Sequence, residues 1–406
     1  MGVVSIGRSR RKLAVFALGA IGLAIALTAT AFVAPNRTAT AAVVYTPRDP
    51  NAVVAHVPTR DPNEVAARQA LSASPDRVEL AVELARADIQ RSRALQDPRY
   101  LGRAQATLGR WWTLAAPPPD VLLLRATIEQ SLHDFPAARA DLDQLIAVRP
   151  GDAQAHLTRA VVATVMADYP AARASCAALT PIAPPIVVAT CIAPVDALAG
   201  RADDAYRTLS AAIADLGRRP DPSLKEWALT TLAELATQRG DDAGAAAALD
   251  QALALDPDDA YARAARADVE LSTGHPAAAS ALLVGTDTID NLLVRHAIAE
   301  HRAHGPDAAR LAGLMHARIA AAAERGDRVH LREEARFTLE VDGDATRALP
   351  IARDNWGVQH ELADARLLAE VAAAAGDADA AAPVRAWQRT NGVHDAQLDH
   401  WLGGSR

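Results

Sequence analysis

Phe135-Pro136-Ala137-Ala138-Arg139-Ala140 returns as Tyr169-Pro170-Ala171-Ala172-Arg173-Ala174, each position displaced by 34 residues. Around these hexapeptides Arg125-Ala126 returns as Arg159-Ala160, and Pro150 as Pro184, at the same offset. A fixed period of this length marks stacked supersecondary units, none of which buries its apolar face alone. Within 121–184 each unit reads as a helix, a short turn at His133-Asp134 or Ala167-Asp168, a second helix and a proline stop.

The period extends outward from this stretch. Gly200 with Ala205-Tyr206-Arg207-Thr208-Leu209 marks a third pair, and Gly240, Asp241, Ala245, Leu249, Ala252 and Pro257 a fourth. Gly274, Ala279 and Leu283 follow after a further 34 residues, and His275-Pro276-Ala277-Ala278 echoes the hexapeptide. Two less regular helices flank Gly305-Pro306, and Gly343-Asp344 and Gly376-Asp377 continue the array at a spacing of 33. Asn355-Trp356-Gly357 is expected to form an inter-repeat turn, and the helix near 396–402 to serve as a cap. With the period as ruler, 63–401 holds about eight helical pairs.

The pattern resembles the tetratricopeptide-repeat family. Ala126, Ala138, Ala160 and Ala172 stand where that family wants close helix contact, whereas its first-helix aromatic is absent and Arg125 and Arg159 occupy a normally apolar place. The resemblance implies an all-α, right-handed solenoid of antiparallel helix pairs over 63–406, with a concave face lined by the first helices. In this chain that face would carry Leu123, Thr127, Gln130, Leu157, Val161, Trp227, Thr230, Glu234, Tyr261 and Asp268. Such grooves hold a peptide or helix of a protein partner.

Composition agrees with a helical array. Half of the residues are apolar but only 4% are aromatic, so the core is mostly Ala and Leu, good helix formers. The net charge of −7 is spread over interspersed acids and bases, which argues against a nucleic-acid partner. No Gly-rich phosphate loop, nucleophile elbow or framed carboxylate pair occurs, so neither catalysis nor a cofactor is expected.

Arg8, Arg10, Arg11 and Lys12 precede 13–34, which is apolar apart from Thr28 and Thr30. That order and length fit a signal peptide or a single membrane anchor over 1–34. Ala29-Thr30-Ala31 offers a small-x-small cleavage site. Ser9-Arg10-Arg11 resembles a twin-arginine export signal, from which Leu13-Ala14 departs. Either version places the remainder outside the cytoplasm, in a bacterial cell envelope, anchored by 13–34 or released after cleavage near Ala31. A buried amino-terminal helix is the plainer alternative. Residues 35–62, where Arg48-Asp49-Pro50-Asn51 recurs as Arg60-Asp61-Pro62-Asn63, read as a flexible linker.

Cys176 and Cys191 are the only cysteines. They fall on consecutive helices at matching heights about a turn near 183, so in an oxidising compartment they form a candidate disulfide, the alternative being two buried thiols. His296, Glu300 and His304 lie at i, i+4 and i+8 on one helix face and could bind nickel or zinc, although without HExxH spacing; a solvated face is the plainer reading. Arg125 and Arg159 read either as a cationic ladder for an acidic peptide or as partners of Asp141 or Asp143 on the neighbouring helix. Among the tryptophans, Trp227 is expected to be the exposed one. The chain thus reads as a non-catalytic interaction scaffold, with a metal-handling protein or a self-associating solenoid as alternatives.

Overall fold

The computed structural model describes residues 61–403, save 96, 218–220, 327 and 329; the apolar run 13–34 and the linker up to residue 60 lie outside the described residues. Helix starts one residue earlier than expected. Asp61 caps α1 (Pro62–Ala73) by accepting from the Asn63 amide at 2.9 Å, with proline at the helix start where its missing N–H costs nothing.

All regular structure among the described residues is helical. After α1 come α2 (Val78–Leu95), α3 (Arg99–Thr107) and the short α4 (Gly109–Trp112). Helical hairpins then succeed one another: α5 (Pro119–Ser131) with α6 (Phe135–Val148), α7 (Ala153–Val165) with α8 (Tyr169–Ala178), and α9 (Pro185–Asp196) with α10 (Ala202–Ala214). α11 (Pro222–Gln238) pairs with α12 (Asp242–Leu255), α13 (Ala260–Ser272) with α14 (Pro276–Leu283), and α15 (Asp290–Ala303) with α16 (Ala308–Arg325). α17 (Leu331–Glu340) with α18 (Ala345–Val358), then α19 (Leu362–Ala374), α20 (Ala382–Asn391) and α21 (Ala396–Trp401), complete the series. This is the all-α, tetratricopeptide-like solenoid that the period implies.

One turn recurs inside the hairpins. A residue with left-handed backbone ends the first helix, and the Asp after it caps the second. Gly240 has φ +75°, and Asp241 accepts from the Gly244 amide at 2.8 Å; Asp344 and Asp377 repeat the arrangement. In the two most regular repeats His133 and Ala167 hold that conformation without being glycine, ahead of Asp134 and Asp168. Pro136 and Pro170 follow in the first helical turn. The hexapeptide is therefore a helix start, and its downstream alanines let the hairpin close: Ala126, Ala138, Ala160 and Ala172 are buried.

Asn355-Trp356-Gly357 does not form a turn; it is the last turn of α18. Asn355 is buried there and donates to Asp364 at 2.7 Å, while Asp364 also receives the Glu361 amide at 3.0 Å in a capping box that opens α19. The stretch 185–214 is apolar and long enough to imitate a membrane span, yet Gly200, at φ +80°, folds it into the α9–α10 hairpin.

The solenoid does not remain open. Its largest apolar core joins α7–α11 to α17–α21, so the last helices pack against helices far earlier in the chain. Trp387 donates its indole N–H to the buried Tyr169 hydroxyl at 2.8 Å and meets Trp356 edge to face, ring centroids 5.5 Å apart. The His360 amide donates to the Val165 carbonyl at 2.9 Å, and Gln238 to the His394 carbonyl at 2.9 Å. α21, expected merely to cap the array, packs against both α19 and α11.

Gly200 and Gly392 touch at this closure: a Cβ on Gly200 would lie 2.8 Å from the Gly392 carbonyl oxygen. Gly200→Ala is expected to cost about 1–2 kcal/mol through its left-handed backbone alone, and more through that collision. Thermal denaturation and limited proteolysis check this: the melting temperature falls and the earliest cut moves into 378–403. An unchanged melting temperature would remove the Gly200–Gly392 approach from what holds the closure.

Candidate functional site

Closure turns the concave face into a chamber of about 2530 Å³, bounded by α7, α11, α13, α15, α17, α19 and α21. Gln130, Leu157, Val161, Trp227, Thr230, Glu234, Tyr261 and Asp268 all line it. Leu123 and Thr127, expected on the same surface, do not. α5 is buried nearly all round by α2, α3, α6 and α7, so Thr127 donates to its own helix at the Leu123 carbonyl, 2.7 Å away, and Leu123 packs into the α5–α7 core. Of α5 only Gln130, in its last turn, reaches the chamber.

Large apolar groups inside it stay open to solvent. Val161 is 47% exposed, Tyr261 50% and Trp401 37%. Trp227 is only half-buried, and Trp401 on the closing helix is the more open tryptophan. Cys176 and Cys191 form a disulfide between α8 and α9, with Cα atoms 5.6 Å apart, and Cys191 belongs to the chamber wall.

The remaining wall is ionic. Asp268 accepts from Arg295 at 2.8 Å and from Arg336 at 2.7 Å. Arg336 also reaches Glu340 at 3.0 Å, and Arg302 ion-pairs with the same carboxylate. Arg332 donates to Asp364 at 2.6 Å, and Arg366 to Asp395 at 3.0 Å. Burial works against the Asp268 carboxylate, but Arg295 and Arg336 outweigh it and hold its pKa below the usual range.

Two carboxyls behave in the opposite way. Glu234 receives the Tyr261 hydroxyl and, among the described residues, forms no ion pair; desolvation within the chamber walls, reinforced by Glu361 and opposed by Arg366, pushes it up to about 7. Glu370 is likewise raised to about 7 by burial and by Glu340, against Arg336 and Arg302. Outside the chamber Glu129 is raised to about 7 by burial and the Asp141 charge, against Arg125.

A single register links the ladder. Glu234, Asp268, Arg302, Arg336 and Glu370 are successive positions of the 34-residue period, and every one lines the chamber. Sequence reasoning reached the first two and stopped. The signal that leads to the other three was present: the same ruler, continued through helices whose turns run at 33.

The His row has no ligand geometry, and only His304 at its end is exposed. His296 and Glu300 are buried. His296 engages Asp287 at 3.1 Å, whereas Glu300 accepts from Ser280 at 2.5 Å and from the Asp307 amide at 3.0 Å, clamping the turn at Gly305. His304 ends the helix in left-handed conformation. Among the described residues no three His, Cys, Asp or Glu side chains are grouped to hold a metal ion. The arginine pair serves packing: Arg125 holds Asp141, Arg159 holds Asp143, and Arg266 holds Asp250 at 2.8 Å, each sixteen residues apart.

No known family's sequence model matches the chain, and no curated protein does. Among solved structures, the human IFIT1 dimer with PPP-AAAA is 11% identical, covering 81% of this chain and 87% of that one, at a TM-score of 0.41. A tetratricopeptide repeat protein from Parabacteroides merdae ATCC 43184 is 14% identical over 70% and 97%, at 0.31. The APC/C hetero-tetramer Cut9-Hcn1 is 11% identical over 84% and 85%, at 0.39. The fold assignment rests on the hairpins themselves.

Raised carboxyl pKa values give the two residues a pH-dependent contribution. Through Glu234 and Glu370 the folded chain binds more protons than the unfolded one between about 4.5 and about 7, while the lowered His133 and His360 act the other way. The contribution of the two carboxyls therefore falls as pH rises through that window and levels off above it. Glu234→Gln/Glu370→Gln is expected to leave the melting temperature at pH 5 unchanged and to raise it by a few degrees at pH 8, with chamber water limiting the gain. Glu129 keeps part of the slope. Parallel pH–melting curves for the two proteins would contradict this assignment.

Proposed function

We propose that the chain is a non-catalytic protein-interaction scaffold that holds a segment of a partner protein inside the chamber. The observation that carries this reading is the set of exposed Val161, Tyr261 and Trp401 side chains turned inward on the first helices and on α21. Large apolar groups left wet in a walled space of about 2530 Å³ are a surface built for burial against something else. That space exceeds the roughly 300–1,000 Å³ that suits a small molecule.

The proposed setting is the outer side of a bacterial cytoplasmic membrane, with 13–34 as an anchor or a removed signal. The basic cluster ahead of that run supports it, and so does a disulfide in the folded part, since such bonds persist in oxidising compartments.

A photo-crosslinking amino acid placed at Val161 or Tyr261 tests the scaffold reading in living cells. It is expected to yield one discrete adduct, identified by mass spectrometry as a segment of a second protein. The same group at Val284, 71% exposed outside the chamber, yields none. Equal labelling at all three positions would defeat the proposal, and an adduct of the chain with itself would replace it with self-association.

A further inference from the structure

The charges of the chamber wall are not balanced where they stand. Arg295, Arg302, Arg332, Arg336 and Arg366 face the chamber, and each is already held by a carboxylate of the wall itself, Glu361 in the case of Arg332. Among the described residues Glu234 and Glu370, the first and last members of the register, form no ion pair, although Arg366 lies near the first and Arg302 and Arg336 near the second. Between them Asp268 and Glu340 hold Arg295, Arg302 and Arg336, so each guanidinium of the middle stretch already lies on a carboxylate. An acidic occupant would have to strip these guanidinium groups from their partners while lying beside unpaired carboxyls. A basic occupant breaks nothing and supplies the missing counter-charge.

We infer that the chamber takes a basic and apolar protein segment, whose lysine or arginine side chains pair with Glu234 and Glu370 and whose apolar residues cover Val161, Tyr261 and Trp401. The inference rests on the proposed scaffold role of the same chamber and specifies its partner. Two features fix the occupant. The charges without an ion-pair partner at the two ends of the register are acidic, so attraction and register come from cations in the ligand. The uncovered area is aliphatic and aromatic, so affinity comes from apolar side chains placed between those cations. Both ends of the register carry the same demand, which suits a segment with basic residues separated along its length better than a compact cation.

Fluorescence polarisation with the purified full-length chain at pH 8 tests this. Three fluorescein-labelled peptides share one leucine pattern and carry Lys, Gln or Glu at the remaining positions; a labelled single-stranded oligonucleotide is the fourth probe. The Lys peptide is expected to bind at least about tenfold more tightly than the Gln peptide, as for hydrogen bonds to charged groups, and the Glu peptide and oligonucleotide more weakly still. Glu234→Gln/Glu370→Gln is expected to remove that advantage and leave the Gln peptide unaffected. Equal binding of the Gln or Glu peptide overturns the basic partner while leaving the scaffold reading in place. Tight binding of the oligonucleotide overturns both, as does failure of every probe. Because the peptide series on the unaltered chain stands without the variant, a folding defect in the variant does not rescue the idea.

Discussion

The packing of Trp387 and Trp356 against α8 is the interaction on which the rest of this structure depends. Without it the array is a row of hairpins, each stabilised by its neighbours alone. With it, a helix near residue 387 shares one apolar core with a helix near 169, and the Tyr169 hydroxyl finds its partner 218 residues away. Ring closure of this kind carries the entropy of a long loop, offset by a large buried core. It also explains Gly200 and Gly392, since two backbones meet there with no room for a Cβ.

Closure changes the electrostatics of the inner surface. On an open groove Asp268, Arg336, Glu340 and Glu370 would be surface charges, screened by water and worth little. Walled in, they interact through less solvent, and their pKa values separate: Asp268 falls under two guanidinium groups, while Glu234 and Glu370 rise through lost hydration and a neighbouring carboxylate. The same amino acids on a straight solenoid would not carry that information. The geometry of the ring makes the ladder readable as complementary to a cation.

Local features were legible in the sequence to the degree that they repeat. The 34-residue period revealed the hairpins, the alanine contacts and the Asp-capped turns, because each repeat must solve the same close-packing problem. The placement of Cys176 and Cys191 about a proline turn foretold a geometry that a disulfide can span. Arg125 with Asp141 was foreseeable for a related reason: both positions face across one hairpin. Closure left no such trace. Contacts between Trp387 and Tyr169, or Gln238 and His394, join positions with no common register. Leu123 and Thr127 were misplaced because the helices that bury α5 precede the regular repeats, and Asn355-Trp356-Gly357 because its asparagine serves a buried carboxylate instead of a turn. His296 and Glu300 looked like a row of ligands only while their separate partners, Asp287 and Ser280, were out of sight.

The ladder shows why packing and function separate within one repeat. Positions such as Ala126 and Ala160 tolerate only small side chains, so the period there appears as identity. Glu234, Asp268, Arg302, Arg336 and Glu370 share a position that lines the chamber, where no close helix contact demands one small side chain. The period therefore survives in the spacing and vanishes from the residue type. Variation at a fixed register, on the wall facing inward, is what a solenoid offers for recognition. The sign pattern along it has a carboxyl at both ends and ion-paired residues between, and those ion pairs join one helix of the wall to the next.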